Sequence, residues 1–331
     1  MLQSSKPVIA VTAVRTGCGK SQVSRYLAEK LQTSGQRVAV IRHPMPYGNL
    51  SKQAVQRFAT MEDLELGECT IEEREEYEPY VERGLTIFAG ADYARILAAA
   101  EAEADLVLWD GGNNDLSFVR PDVLLTLTDA LRPGHETAYW PGEANLRMAD
   151  IVIVAKSDAA GTEAAELVAA KARAINPKAE LIFGGSPVEL DDPSAVKGRR
   201  VLVVEDGPTI THGGMKTRAG YAAAKVAGAG EIIDPRPFAV PEIAAVFAQY
   251  PHIGPVLPAV GYSQAQQKAL ADTIAASGAD LVIAGTPIDL AERIAHLRSI
   301  NTPIIRARYN YRDLNEGALI TAVQSLLNAG K

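Results

Sequence analysis

The chain has 331 residues, 47% of them hydrophobic and 22% charged, with a formal net charge of -7. Its length predicts about two domains, and its acidic balance excludes a general nucleic-acid binder, which needs basic surface against phosphate. Two cysteines, Cys18 and Cys69, exclude a disulfide framework and any Cys-x-x-Cys metal site; with no apolar run near the roughly 18 residues of a membrane span and no signal-peptide core, the expectation is a cytoplasmic protein without a membrane partner.

Short β-rich runs alternate with Ala-rich helical stretches. Strands are expected at 8–13, 37–41, 85–88, 105–109, 123–127, 151–155 and 181–183. Most are continuous apolar runs, as strands covered on both faces should be. The helical segments between them give the βαβ rhythm of a parallel sheet. Between Met61 and Glu82, ten acidic residues and one arginine predict a helical excursion with a solvated face; a lid or a partner surface is the alternative. The text turns polar from Asp191 to Arg200, and strands are expected again at 201–204, 231–233, 256–260, 281–284 and 304–307. The expected fold is α/β, a mostly parallel doubly wound sheet, with a P-loop nucleotide-binding domain over 1–198 and a second Rossmann-like α/β domain over 199–331.

The first run leads into Arg15-Thr16-Gly17-Cys18-Gly19-Lys20-Ser21-Gln22, and a helix should start near Lys20 with Leu27, Ala28 and Leu31 on its apolar face. Strand, glycine loop and helix in that order are the context of a phosphate-binding loop. Gly17 and Gly19 let backbone N–H groups face phosphate oxygens, the helix start adds positive dipole, Lys20 can reach the β- and γ-phosphates, and Ser21 can serve Mg²⁺. Val14 stands where the commoner pattern has glycine. The segment from Arg15 to Ser21 resembles the variant loop K-G-G-x-G-K-[ST] of the class containing dethiobiotin synthetase, nitrogenase iron protein and metal-insertion GTPases. Arg15 occupies the place of a lysine that, in part of that class, reaches the dimer partner's phosphates, and a homodimer is expected. Cys18 reads as a small loop residue.

Asp110 ends the run "ADLVLWDGG" and is the expected Mg²⁺-side acid, with Asn113, Asn114 and Asp115 after it. All these loops should meet outside the carboxyl ends of the strands. Ala155-Lys156-Ser157-Asp158 resembles the guanine-reading N-K-x-D motif with Ala in place of Asn, and residues 175–187 are similar to the segment that follows it in metal-insertion GTPases. With the Asn replaced, use of GTP does not follow from this likeness, and GTP stays as the alternative to the ATP implied by the family resemblance below.

Four histidines, His43, His135, His212 and His252, adjoin Gly or Pro, and arginines Arg42, Arg57, Arg132, Arg147 and Arg236 lie in comparable loops. In an acidic protein this pattern suggests a second anionic ligand. Glu136 beside His135 is a candidate acid–base pair, carried only by adjacency. Glu205, Asp206, Thr209, Thr211 and His212 follow a strand in the second half. Thr286 is the expected N-cap of a helix with Pro287 at its first position, and His296 reads as a solvent-side helical residue.

The strings "AVTAVRTGCGKSQ", "RHPMPYG", "ECTIEEREEYEP", "LWDGGNND", "RPGHE", "VVEDGPTITHG", "YPHIGPVLPA" and "GTPIDL" resemble the cyclic 2,3-diphosphoglycerate synthetase family over nearly the whole chain. That family carries a further N-terminal α/β domain, and this chain begins almost at the loop. The resemblance implies ATP- and Mg²⁺-dependent closure of a small phosphorylated acid, 2,3-diphosphoglycerate, into a cyclic phosphoanhydride. It implies catalytic roles for Lys20, Asp110, Arg132 and His135, nucleotide contacts from Arg15 to Gln22 with Lys156 and Asp158, substrate contacts from Arg42, His43, Arg147, Glu205 and His212, and metal contacts from Ser21 and Asp110. The alternative is a regulatory or metal-insertion GTPase acting on a protein partner, favoured by Asp158.

Overall fold

The computed structural model describes residues 1–330 except 44, 46–49, 113–114, 212, 260–262 and 299. The chain forms two units, one of Met1–Cys69, Tyr77–Pro187 and Asn310–Lys331, the other of Thr70–Glu76 and Val188–Tyr309. The expected division after residue 198 falls instead before Val188, and the C-terminal segment returns to the first unit.

Among the described residues the strands in chain order are β1 (Val8–Ala13), β2 (Val38–Arg42), β3 (Gln56–Phe58), β4 (Thr86–Ala89), β5 (Leu106–Asp110), β6 (Val123–Asp129), β7 (Ile151–Ala155), β8 (Glu180–Gly185), β9 (Val188–Leu190), β10 (Arg200–Asp206), β11 (Glu231–Ile232), β12 (Leu257–Ala259), β13 (Leu281–Gly285), β14 (Ile304–Tyr309) and β15 (Arg312–Asp313). The first unit carries a sheet in the order β15-β8-β7-β6-β1-β5-β2-β4-β3, and the second a sheet in the order β11-β10-β13-β14-β9 with β12 also paired to β10. All pairs are parallel except β3 with β4, β15 with β8 and β9 with β14. The α/β, mostly parallel architecture expected from the sequence is therefore observed in both units.

The doubly wound character follows from the two-residue period of a strand. Ile9 and Val11 of β1 pack with Leu27, Ala28 and Leu31 of the helix Lys20–Thr33 (α1), whereas Val8 and Ala10 pack with Ile96, Leu97 and Ala100 of the helix Tyr93–Glu103. Leu106 and Leu108 of β5 join the first cluster and Val107 and Trp109 the second. Both faces are covered, which is why these strands read as unbroken apolar runs.

Two local readings are corrected. The acidic stretch does contain the helix Ile71–Val81, but its face is not solvated: Glu73, Glu75 and Glu78 are buried alongside Tyr77 and Tyr80, and each of the three glutamates has a polar or electrostatic partner. In the second unit, Thr286 is not a helix cap; its hydroxyl donates to the Ile288 carbonyl, while Asp289 caps the short helix Leu290–Arg293 through the Glu292 N–H. Leu290, Ile294 and Leu297 do form a core face, with His296 half-buried beside them.

Val14 is fixed by packing. Its backbone meets Gly142, the first residue of the helix Gly142–Met148, so closely that a Cβ on Gly142 would overlap the Val14 carbonyl. The Gly142→Ala variant is expected to lose about 1–3 kcal/mol, the range for overpacking a tight contact, seen as a lower urea midpoint.

Candidate functional site

The carboxyl ends of β1, β2, β5, β6 and β7 all point one way in a parallel sheet, and the loops that leave them form the site. After β1 the chain turns through Gly17 at φ 84° and Gly19 at φ 101° before α1 begins at Lys20. Both angles lie in the left-handed region where glycine is unstrained. No side chain caps α1, and no acidic residue occupies its first turn, so its positive end is left for an anion.

Lys20 donates to the Gly111 carbonyl and lies 3.5 Å from Asp110 Oδ1. Asp110 Oδ2 accepts from Arg42 at 2.7 Å and from the Tyr80 hydroxyl at 2.7 Å. Burial by itself would raise the Asp110 pKa, but Lys20, Arg42 and the Tyr80 hydroxyl together hold it well below the usual carboxylate range. Asp110 is therefore an anion at any ordinary pH. Arg42 also lies 3.4 Å from Ser21 Oγ, so its guanidinium is engaged inside the site rather than presented to a substrate. His43 follows it, its ring packed where a Cβ on Gly112 would not fit. Burial first, then Arg42 and Lys20, push its pKa down to about 3. The ring is thus neutral.

Ser21 Oγ and the ionised Asp110 carboxylate are hard oxygen donors of the kind Mg²⁺ prefers. Among the described residues no group of three His, Cys, Asp or Glu side chains is arranged to hold a metal by itself.

Beside the loop lies a second polar group. Arg15 meets His135 Nδ1 at 2.8 Å and the Tyr139 hydroxyl at 3.1 Å, its guanidinium stacked 4.7 Å from the Tyr139 ring centroid. Arg132 pairs with Asp129 at 2.5 Å and donates to the Thr16 carbonyl at 3.2 Å. Lys156 pairs with the same Asp129 at 2.7 Å and donates to the Gly17 carbonyl at 2.6 Å. Cys18 is buried in the loop, and burial pushes its thiol pKa up; it is a packing residue, not an activated nucleophile. Gln22 Oε1 accepts from Ser186 Oγ at 2.8 Å, and Asp158 accepts from the Ser186 N–H at 3.1 Å.

The loop from Arg15 to Gln22, with Arg42, His43, Asp110, Arg132, His135, Lys156 and Asp158, thus lies within the first unit at one edge of its sheet. Other expected residues do not join them. Arg147 is exposed and pairs with Glu143 one turn away at 2.6 Å; Arg57 and Arg236 likewise pair with Glu103 and Asp234. Glu136 is buried against the Gly134 N–H and Lys171. His252 meets the Ile210 carbonyl at 2.7 Å in the second unit. Glu205 also belongs to the second unit, where it accepts from the Arg218 and Tyr221 N–H groups at the start of the helix Ala219–Val226. His212, Asn113, Asn114 and the side chain of Thr209 lie outside what the structure describes. Tyr80 and Asp129 were missed by sequence reasoning. The spacing of Tyr77 and Tyr80 on one helical face was the available signal for the first, and Asp129 at the end of an apolar run, like Asp110, was the signal for the second.

Fold and site together define a nucleotide-binding P-loop protein. In sequence the chain is 55% identical over 319 residues to the arginine synthetase ArcE of Thermococcus kodakarensis, a match that covers 96% of this chain and 70% of that protein. The chain belongs to the family of that synthetase. No family model matches it. Among solved structures, LpxK from Aquifex aeolicus aligns with a TM-score of 0.59 at 12% identity, over 99% of this chain and 90% of that one, which shows the fold. HypB from Archaeoglobus fulgidus aligns over 54% of this chain and 80% of its own, with a TM-score of 0.34 at 16% identity. Among the described residues no helix is long and apolar enough to cross a membrane.

Glu205 supplies a pH test of the second unit. Burial, offset in part by the Tyr221 and Arg218 N–H groups, pushes its carboxyl pKa up from an ordinary 4.5 to about 7. The folded state then binds this proton more tightly than the unfolded state. Stability from this group is complete below the unfolded value and is lost as pH rises to about 7, by up to about 3 kcal/mol. Urea midpoints should fall across that window in the wild type and change less in Glu205→Gln.

Proposed function

We propose that the chain is an ATP-dependent synthetase whose product is arginine. The observation that carries this reading is the 55% identity to an arginine synthetase over 96% of the chain, and the phosphate loop with its buried Lys20–Asp110 pair supplies the chemistry. Arginine differs from its ureido counterpart, citrulline, by nitrogen in place of one oxygen. A synthetase can make that exchange in two steps. The ureido oxygen attacks the γ-phosphorus of ATP, the bond to the bridging oxygen breaks, and ADP leaves with the electron pair. Ammonia then adds to the activated carbon, the carbon–oxygen bond breaks, and phosphate leaves.

In this reading the loop amides and Lys20 would bind the phosphates, and Lys20 would exchange the Gly111 carbonyl for phosphate oxygen. Ser21 and Asp110 would hold Mg²⁺, which supplies neutralisation of phosphate charge. Arg42 keeps Asp110 ionised and oriented. Asp158 is taken up by the Ser186 N–H, which supports ATP over GTP, and the relative's name supports a synthetase over a GTPase switch. The likeness of the loop to the K-G-G-x-G-K-[ST] class supports a homodimer, working in the cytoplasm where ATP is kept.

A second reading rests on the long strings shared with cyclic 2,3-diphosphoglycerate synthetases. There one substrate phosphate takes the γ-phosphoryl group and the other displaces phosphate to close the ring. The residues needed for phosphoryl transfer are the same, so only the acceptor separates the two. Wild type and Lys20→Ala should be assayed with ATP and Mg²⁺, once with citrulline and ammonia and once with 2,3-diphosphoglycerate. Arginine should form in the first series and fall at least about 100-fold in Lys20→Ala, as when a phosphate-stabilising donor is removed. Release of ADP with bisphosphoglycerate and no arginine would select the cyclisation; release in neither series would overturn both.

A further inference from the structure

We infer that Asp129, acting through Lys156 and Arg132, sets the direction in which the phosphate loop presents its amides, and is a positioning residue for nucleotide binding. Asp129 ends β6 with its carboxylate fully buried, and it takes both Arg132 and Lys156 at 2.5 and 2.7 Å. Each cation has a second bond, and both second bonds go to the backbone of the loop: Arg132 to the Thr16 carbonyl at 3.2 Å and Lys156 to the Gly17 carbonyl at 2.6 Å. Arg15 Nε adds a further bond to the Thr16 carbonyl at 3.2 Å.

These bonds decide where the N–H groups point. A trans peptide is planar, with its C=O and the following N–H directed oppositely, and among the described residues the cis bond is at Trp140–Pro141, not in the loop. With the Thr16 carbonyl drawn to Arg132, the Gly17 N–H faces away from the cluster. With the Gly17 carbonyl drawn to Lys156, the Cys18 N–H does the same. Neither N–H donates to an acceptor among the described residues, which is what an anion-binding nest requires of them. The cluster therefore removes the alternative in which a peptide flips and turns a carbonyl oxygen toward phosphate.

The cost of the arrangement is visible. Lys156 sits at φ 59°, one of the non-glycine residues in the left-handed region, a conformation worth about 1 kcal/mol of strain that surrounding bonds must over-determine. Two half-buried cations at one loop would also repel unless a carboxylate lay between them. One anion with two cations leaves a net positive charge behind the loop, which favours a polyanion in front of it. Arg132, expected to be catalytic, and Lys156, expected to touch the nucleotide, act here from behind the loop.

The inference rests on the nucleotide reading above, and the test separates the two. ADP affinity is measured by calorimetry for wild type, Asp129→Asn, Lys156→Met and Lys156→Arg, with thermal midpoints taken without ligand. Amide NMR shifts of Gly17 and Cys18 are followed on ADP addition. Wild type should bind, with downfield shifts at both amides. Asp129→Asn and Lys156→Met should bind at least about tenfold more weakly, as for loss of a charge-assisted bond, with those shifts reduced, and Lys156→Arg should recover part of both. Folded variants that bind ADP like wild type, or that lose affinity while the Gly17 and Cys18 shifts persist, would overturn the inference and leave the synthetase reading standing. If Asp129→Asn does not fold, Lys156→Met alone decides. A wild type that binds neither ADP nor ATP would remove the nucleotide reading and this inference with it.

Discussion

The first unit depends on a carboxylate that cannot leave. Asp110 is buried at the end of a central strand and stays ionised because Lys20, Arg42 and Tyr80 converge on it. A buried unpaired charge would cost several kcal/mol, so each of these partners is needed once the anion is there. The pairing links the α1 start, the end of β2, the end of β5 and the helix Ile71–Val81. It thereby ties the phosphate loop to the acidic segment that the sequence presents as a solvent-facing excursion.

The central strands were legible because each is covered on both faces and must be apolar throughout. Every strand expected from the sequence is present within one or two residues of its reading, apart from Val260, which lies outside the described residues. The strands not foreseen are β3, β9 and β15, each two or three residues long, antiparallel and at a sheet edge. A strand that short has no period to read, and its partner lies far away in sequence: Arg312 pairs with Gly185. The return of the C-terminal segment to the first unit was invisible for the same reason.

Site residues divide on a similar line. Gly17, Gly19, Lys20 and Ser21 were legible because strand, loop and helix are consecutive, and Asp110 because an apolar run ends on it. Arg42, Arg132 and Lys156 were recognised as belonging to the site, but not which way they act. Direction depends on a partner's position in space, and Asp129 and Tyr80 supply it. Arg147 shows the converse. Its loop-like text suggested a ligand contact, yet it lies one helical turn from Glu143, an i,i+4 pair of the ordinary exposed kind.

Three buried carboxyl groups in this chain illustrate how partner type decides charge state. Asp110 and Asp129 each face cations, and both are held below the usual carboxylate range against burial. Glu205 is just as buried, but its hydrogen bonds come from backbone N–H groups, and burial outweighs these and the Arg218 charge, pushing it up to about 7. A cation on a flexible side chain, such as Lys20 on the Gly111 carbonyl, can exchange one acceptor for another. Backbone amides at a helix start that already hold Glu205 cannot do so without uncapping the helix. The two aspartates are therefore anions held by side-chain cations, whereas Glu205, the substrate contact implied by resemblance, has the surroundings of a carboxyl group that caps a helix and titrates with the stability of its own unit.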